Sequence, residues 1–217
     1  MTYFRKILTI AALLVCAATA GAADFFSGLG VRTSMEVTIP SGGRGFYGNG
    51  AGFTAGVSYT VPLAGNFSFD PELLFVYSTM SDKSEVMVDD HYYNGAARTF
   101  GLRVPLMFSY NFSLHRNVTM AVSTGPWLNI NLSARQNLLP NMEAPVPVPA
   151  QKANLFDQGW KRFDAQWGLK LSFTFAESYF VGITTGVAFT PLASFGDKDK
   201  KIRIHRNTIA ISLGYNF

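Results

Sequence analysis

Three histidines are the first residues to weigh for chemistry: His91 beside Asp89 and Asp90, His115 beside Arg116, and His205 ahead of the last apolar alternation. Acyl transfer needs a histidine in hydrogen-bond reach of a nucleophile and an orienting carboxylate. His91 and His205 each have serines or aspartates nearby in sequence, but no spacing fixes a triad. Metal chemistry fares no better. Asp89-Asp90-His91 and the pair Asp197 and Asp199 offer hard ligands, yet neither follows a calcium loop, with its alternating oxygen ligands and central glycine. Solvated loop charge is the expectation for both, and no catalytic residue, cofactor or metal site is expected. A different set stands out by position: Arg32, Glu36, Asp70, Glu72, Arg103, Asp164, Lys170 and Arg206. These four acids and four bases fall on the polar side of alternating segments. Buried charges are costly unless paired, so a mutually compensating network is the expected arrangement, with structural packing favoured over a narrow polar conduit.

What positions these charges is a run of two-residue alternation. Thr208 to Phe217 places Ile209, Ile211, Leu213, Tyr215 and Phe217 on one face and Thr208, Ala210, Ser212, Gly214 and Asn216 on the other, the period of a strand whose successive side chains face opposite sides. Seven earlier segments repeat it: Phe26 to Val37, Ala51 to Val61, Phe67 to Ser78, Arg98 to Tyr110, Val118 to Ser133, Arg162 to Phe175 and Tyr179 to Pro191. Pro105 interrupts the fourth, and because proline donates nothing to a ladder a bulge or local break is expected there. The connections alternate long and short. Pro40 to Gly50, Met80 to Ala97, Ala134 to Lys161 and Leu192 to Ile204 are long; Pro62 to Asn66, Asn111 to Asn117 and Ala176 to Ser178 are short.

Only helices and closed barrels satisfy every backbone group in lipid, and outer-membrane barrels have short periplasmic turns and long outer loops. The sequence therefore predicts an all-β fold, an eight-stranded antiparallel up-and-down transmembrane β-barrel with short periplasmic turns and long extracellular loops. Aromatic placement agrees. Tyr59, Phe67, Phe69, Phe108, Tyr110, Phe112, Phe173, Phe175, Tyr179, Tyr215 and Phe217 all lie beside short turns or the terminus, as an interfacial girdle requires. A soluble lipocalin-type barrel would turn the apolar face inward. Small residues crowd the polar face and phenylalanine fills the apolar one, which favours the membrane form.

Residues 1–22 have the pattern of a cleaved secretory leader, with Arg5 and Lys6, the apolar run Ile7 to Ala18, and Ala20-Gly21-Ala22 as the cleavage site. Cys16, the only cysteine, lies within it. Residues 23–217 are the barrel domain, and losing Arg5 and Lys6 leaves sixteen basic against fourteen acidic residues, a formal charge of +2. That balance, with scattered basic residues, argues against nucleic-acid binding. Outer-membrane lipids are the expected surroundings, and protein partners would be met through the long loops. Pro145-Val146-Pro147-Val148-Pro149 favours an extended conformation that costs little entropy to fix on binding. Tyr92, Tyr93, Phe156 and Trp160 are the candidate aromatic contacts.

The glycine-rich first strand, Asp70-Pro71-Glu72-Leu73-Leu74-Phe75, Leu102-Arg103-Val104-Pro105-Leu106-Met107, Gly125-Pro126-Trp127 and Leu213-Gly214-Tyr215-Asn216-Phe217 carry a family resemblance. From Phe26 to Phe217 the chain resembles the PorT-like outer-membrane β-barrel proteins of Bacteroidetes. Members of that group often carry an acid before the apolar-Pro step of the fourth strand, where this chain has Arg103. The resemblance implies a small, non-enzymatic outer-membrane barrel with structural or partner-binding work, in some relatives linked to assembly of a secretion apparatus. A lipid A-modifying enzyme or a narrow pore is the alternative.

Overall fold

The computed structural model describes residues 28–42, 46–82, 87–88, 91–92, 96–140, 151–195 and 202–217. The leader, Asp89, Asp90, Tyr93, the Pro145 to Pro149 repeat, Asp197 and Asp199 lie outside them, and of His91 and Tyr92 only the backbone is described.

Eight strands form the wall: β1 (Leu29–Ser41), β2 (Gly50–Tyr59), β3 (Phe67–Asp82), β4 (Ala97–His115), β5 (Val118–Pro140), β6 (Phe163–Phe175), β7 (Tyr179–Ala188) and β8 (Ile202–Asn216). Each pairs antiparallel with the next, and β8 returns to β1, from Gly30 opposite Asn216 to Ser41 opposite His205. The ring is therefore closed, with no free edge. Alternation sets the two faces. Val31, Met35 and Val37 stand exposed on β1 while Arg32, Ser34 and Glu36 between them are buried. Along β6, Trp167, Leu169 and Leu171 point out, and Gln166, Lys170 and Ser172 point in. A protein that keeps phenylalanine and leucine outside and arginine inside has its apolar surface matched to lipid. No helix of the described residues is long and apolar enough to cross a membrane.

The short-turn end carries the expected girdle. Phe67 packs edge-on against Tyr110 at 4.9 Å between ring centres, Tyr110 against Phe112 at 4.7 Å, Tyr179 against Tyr215 at 5.6 Å and Tyr215 against Phe217 at 5.5 Å. Such edge-to-face pairs suit the ring quadrupoles.

Several strands run farther than their alternation predicts. The fourth continues through Asn111 to His115, leaving a turn of only Arg116 and Asn117. The long connection after Ser133 begins as strand: β5 extends to Pro140, and Gln151–Asn154 folds back on it, with Gln151 opposite Leu138 and Asn154 opposite Arg135. Ala193–Phe195 likewise pairs with the start of β8. The two extensions at the long-loop end rise above the lipid belt, where no apolar face has to be presented and the pattern fades, whereas β4 keeps its alternation through exposed Phe112 and Leu114 up to the short turn. At Pro105 the chain breaks its ladder without a bulge. Pro71 faces Leu106 and Leu74 faces Arg103 in unbroken register, with pairing to β3 lost only between. The register shifts toward β5 lie instead between Phe100 and Gly101 and between Ser113 and His115.

The conventional hydrophobic core sits at the outer mouth. Met80, Ala97, Ala134 and Ile204, at the outer ends of the strands, meet Leu155, Trp160, Leu192 and Ala193 from the long connections. Residues 155–158 form a short 3-10 turn, closed by Gly159 in the left-handed region at φ 89°, where a β-carbon would be strained. Backbone bonds stitch the covering segments together: Ser194 N donates to Gly159 O at 3.0 Å, and Lys161 N to Leu192 O at 2.8 Å.

Candidate functional site

The charged residues singled out from sequence all project into the lumen, and six of the eight form three ion pairs. Arg103 on β4 reaches Glu36 on β1, with Nη1 to Oε2 at 2.7 Å and Nη2 to Oε1 at 3.4 Å. Arg206 on β8 bonds Asp164 on β6 at 2.7 Å, and Lys170 on β6 bonds Glu72 on β3 at 2.7 Å. Asn129 joins the first two pairs into one chain. Arg103 Nε donates to Asn129 Oδ1 at 2.8 Å, and Asn129 Nδ2 donates to Asp164 Oδ1 at 2.9 Å. Asn131 Nδ2 adds a bond to Asp164 Oδ2 at 2.9 Å. The resulting path, Glu36–Arg103–Asn129–Asp164–Arg206, spans the lumen and ties together β1, β4, β5, β6 and β8. Its ion-pair side chains are at most 3% exposed, so each charge depends on its partner.

Arg32 and Asp70 are not brought together. Arg32 Nη2 donates to Asn216 Oδ1 at 2.6 Å, and its guanidinium lies 4.2 Å from the centre of the Phe180 ring. Asp70 accepts from Ser68 at 3.1 Å and from Ser109, whose hydroxyl oxygen in turn lies 2.7 Å from the Ser123 hydroxyl and accepts its proton. Both residues line a vestibule of about 260 Å³ at the short-turn end, with Glu72, Lys170 and Phe180.

Bulk completes the filling. Trp127 on β5 crosses the lumen at 3% exposure, donating through Nε1 to the Met107 sulfur at 3.2 Å and lying 5.0 Å beneath the Arg103 guanidinium. Gly168 and Gly186 make the room. A β-carbon on Gly168 would overlap the indole Nε1, and one on Gly186 would lie 2.6 Å from the indole Cζ3. Leu74, Val76 and Phe180 also turn inward and are buried. The space left at mid-barrel, bounded by Arg103, Trp127, Lys170 and Phe180, is about 30 Å³, room for roughly two or three water molecules. Sequence reasoning missed these fillers. Gly125-Pro126-Trp127 was visible as a motif, and the inward alternation of Trp127, Asn129 and Asn131 was the signal for the two amides.

The two histidines whose side chains are described, His115 and His205, do not assemble a site. His205 Nδ1 is buried with no hydrogen-bond partner among the described residues, and His115 is exposed at the opposite end, beside Val118. Among the described residues no group of three His, Cys, Asp or Glu is placed to hold a metal ion. Of the expected loop contacts, Trp160 departs from its expected surface role. It is 4% exposed, edge-on to Tyr47 at 5.6 Å, and belongs to the outer plug because apolar strand ends and Leu192 surround it. Phe156 remains half-buried, with the Arg162 guanidinium 4.3 Å from its ring centre.

Residues 24–194 match the family model described as an outer membrane protein beta-barrel domain. The chain belongs to this family. It is an all-β barrel of eight strands in the bacterial outer membrane, so the short turns face the periplasm and the long loops the exterior. Among solved structures it is similar to Ail, the attachment invasion locus protein of Yersinia pestis, at 9% identity and a TM-score of 0.44, covering 88% of this chain and 99% of that one. Neisserial surface protein A gives 10% identity and a TM-score of 0.44 over 88% and 98% of the two chains. The N-terminal barrel domain of Pseudomonas aeruginosa OprF gives 16% identity and a TM-score of 0.33 over 87% and 97%. Among curated proteins none matches this chain in sequence.

Proposed function

We propose that this protein is a non-enzymatic outer-membrane barrel whose work is structural or partner-binding, carried out at its outer loops and lipid-facing wall, with a link to assembly of a secretion apparatus in the manner of the PorT-like group it resembles. The observation that carries the reading is the filled lumen. With about 30 Å³ free at mid-barrel and a charge network spanning the section, the interior supports packing and leaves the exterior to meet partners. An eight-stranded barrel is just wide enough for side chains to fill. The leader of residues 1–22 is proposed to be removed on export, leaving residues 23–217 in the membrane.

The loop between Pro140 and Gln151 is the proposed partner-binding element, with Tyr92, Tyr93 and Phe156 as neighbouring aromatic contacts. Its two ends are close, since Gln151 pairs with Leu138, so shortening the loop leaves the wall ladder intact. Affinity capture from native outer membranes in mild detergent tests the reading. A stoichiometric partner lost on deleting Asn141 to Gln151, with the barrel still folded, is the expected result. Recovery of the intact barrel alone would count against a partner-binding role.

A further inference from the structure

The described ion pairs all lie in the lumen, while several exposed cations have no acidic partner among the described residues, and four of these, Arg98, Arg135, Lys152 and Arg162, gather at one side of the outer rim. Arg98 on β4 and Arg135 on β5 stand directly opposite each other, both exposed. Like charges in that register repel. On the next strand Asn154 faces Arg135, with exposed Lys152 two residues before it, and the Phe156 ring holds Arg162 by a cation-π contact. Leu132, Arg135, Lys152, Asn154, Phe156 and Arg162 line an open groove of about 420 Å³. Asp157 is the one nearby acid in the covering turn, and it accepts from Asn154 Nδ2 at 2.9 Å.

Depth decides the kind of ligand. Phe100, two residues from Arg98 on the same face, is 42% exposed, and Leu132 and Phe163 beside the groove are 49% and 67% exposed. These side chains belong to the lipid-facing wall. The cations therefore stand one step above hydrocarbon, at headgroup level, where long basic side chains keep their charge in the polar layer while their stems cover apolar surface. Guanidinium groups bind phosphate bidentately.

We propose that Arg98, Arg135, Lys152 and Arg162 form a binding site for the phosphate groups of an outer-leaflet glycolipid, whose acyl chains run down the wall beside Leu132 and Phe163. A bound phosphate between Arg98 and Arg135 relieves their repulsion. The site does not depend on the partner-binding reading above, because it needs only the outward orientation of this rim.

The test uses the full mature barrel in zwitterionic micelles, with retained lipid measured by native mass spectrometry. The probes are bis-phosphorylated lipid A, its dephosphorylated form and a soluble polysulfated oligosaccharide. The bis-phosphorylated lipid should bind at least tenfold more tightly than the dephosphorylated one, and R98Q and R135Q should each weaken it by roughly tenfold, as expected for losing one charge-assisted hydrogen-bonding group. Both variants are surface changes, and an unchanged heat-shift on gels checks that they fold. The wild-type comparison stands without them. Equal retention of the two lipids, an unchanged affinity in both variants, or equally tight binding of the soluble polysulfate would overturn the proposal.

Discussion

Arg103 carries more of the interior than any other side chain: it holds Glu36 through two nitrogens, bonds Asn129 through the third and lies over Trp127. Removing one partner of a buried pair strands the other charge and costs about 3–5 kcal/mol, whereas replacing both with apolar groups is often neutral. E36Q should therefore lower the unfolding free energy of the folded barrel in detergent, read from urea titration, by that order, and an E36L/R103M double variant should recover most of the loss. Equal losses in single and double variants would show that the pair is not the unit. Steric fit gives a second residue-scale expectation. G168A should destabilise by about 1–3 kcal/mol through overpacking against Trp127, and W127L should relieve part of it in a double-mutant cycle. Additive effects would place the indole elsewhere.

At the scale of elements, the wall and its covering segments are separate units. The wall is held by continuous ladders, while the outer plug rests on Leu155, Trp160 and Leu192 packed on strand ends. W160A should cost about 3–5 kcal/mol of local packing. Hydrogen exchange should show faster opening of residues 155–162 and 189–195, with the amides of β6 to β8 still protected. Uniform loss of protection would mean that plug and wall unfold as one. The same division explains what the sequence discloses. Facing was legible wherever lipid imposes a strict apolar alternation, as in Ile209 to Phe217, since a one-residue slip would invert every side chain. The outer strand ends were not, because Ala134 to Pro140 lies beyond that constraint, whereas the alternation of Phe112 and Leu114 did carry β4 to the short turn. Nor were the lumen partners. Which acid meets Arg103 depends on strand stagger around the closed ring, a property that no local spacing encodes, and Leu74, Val76 and Phe180 turn inward by a parity that apolar residues do not advertise.

For the whole molecule, closure and filling set the behaviour. A ring with no edge strand and an apolar exterior needs a lipid or detergent surround, so the folded protein should migrate differently on gels when unboiled and collapse to one position after boiling. A soluble barrel would show no such shift and would stay monodisperse without detergent. Filling has a separate consequence, because an interior crossed by Glu36, Arg103, Asn129, Asp164 and Arg206, capped outside by Trp160 and Leu192, should leave no ion-conducting path. Single-channel recording of the full mature protein in a planar bilayer tests that claim most directly. The account predicts no defined conductance under an applied potential, and a reproducible unitary step from the purified barrel would contradict it.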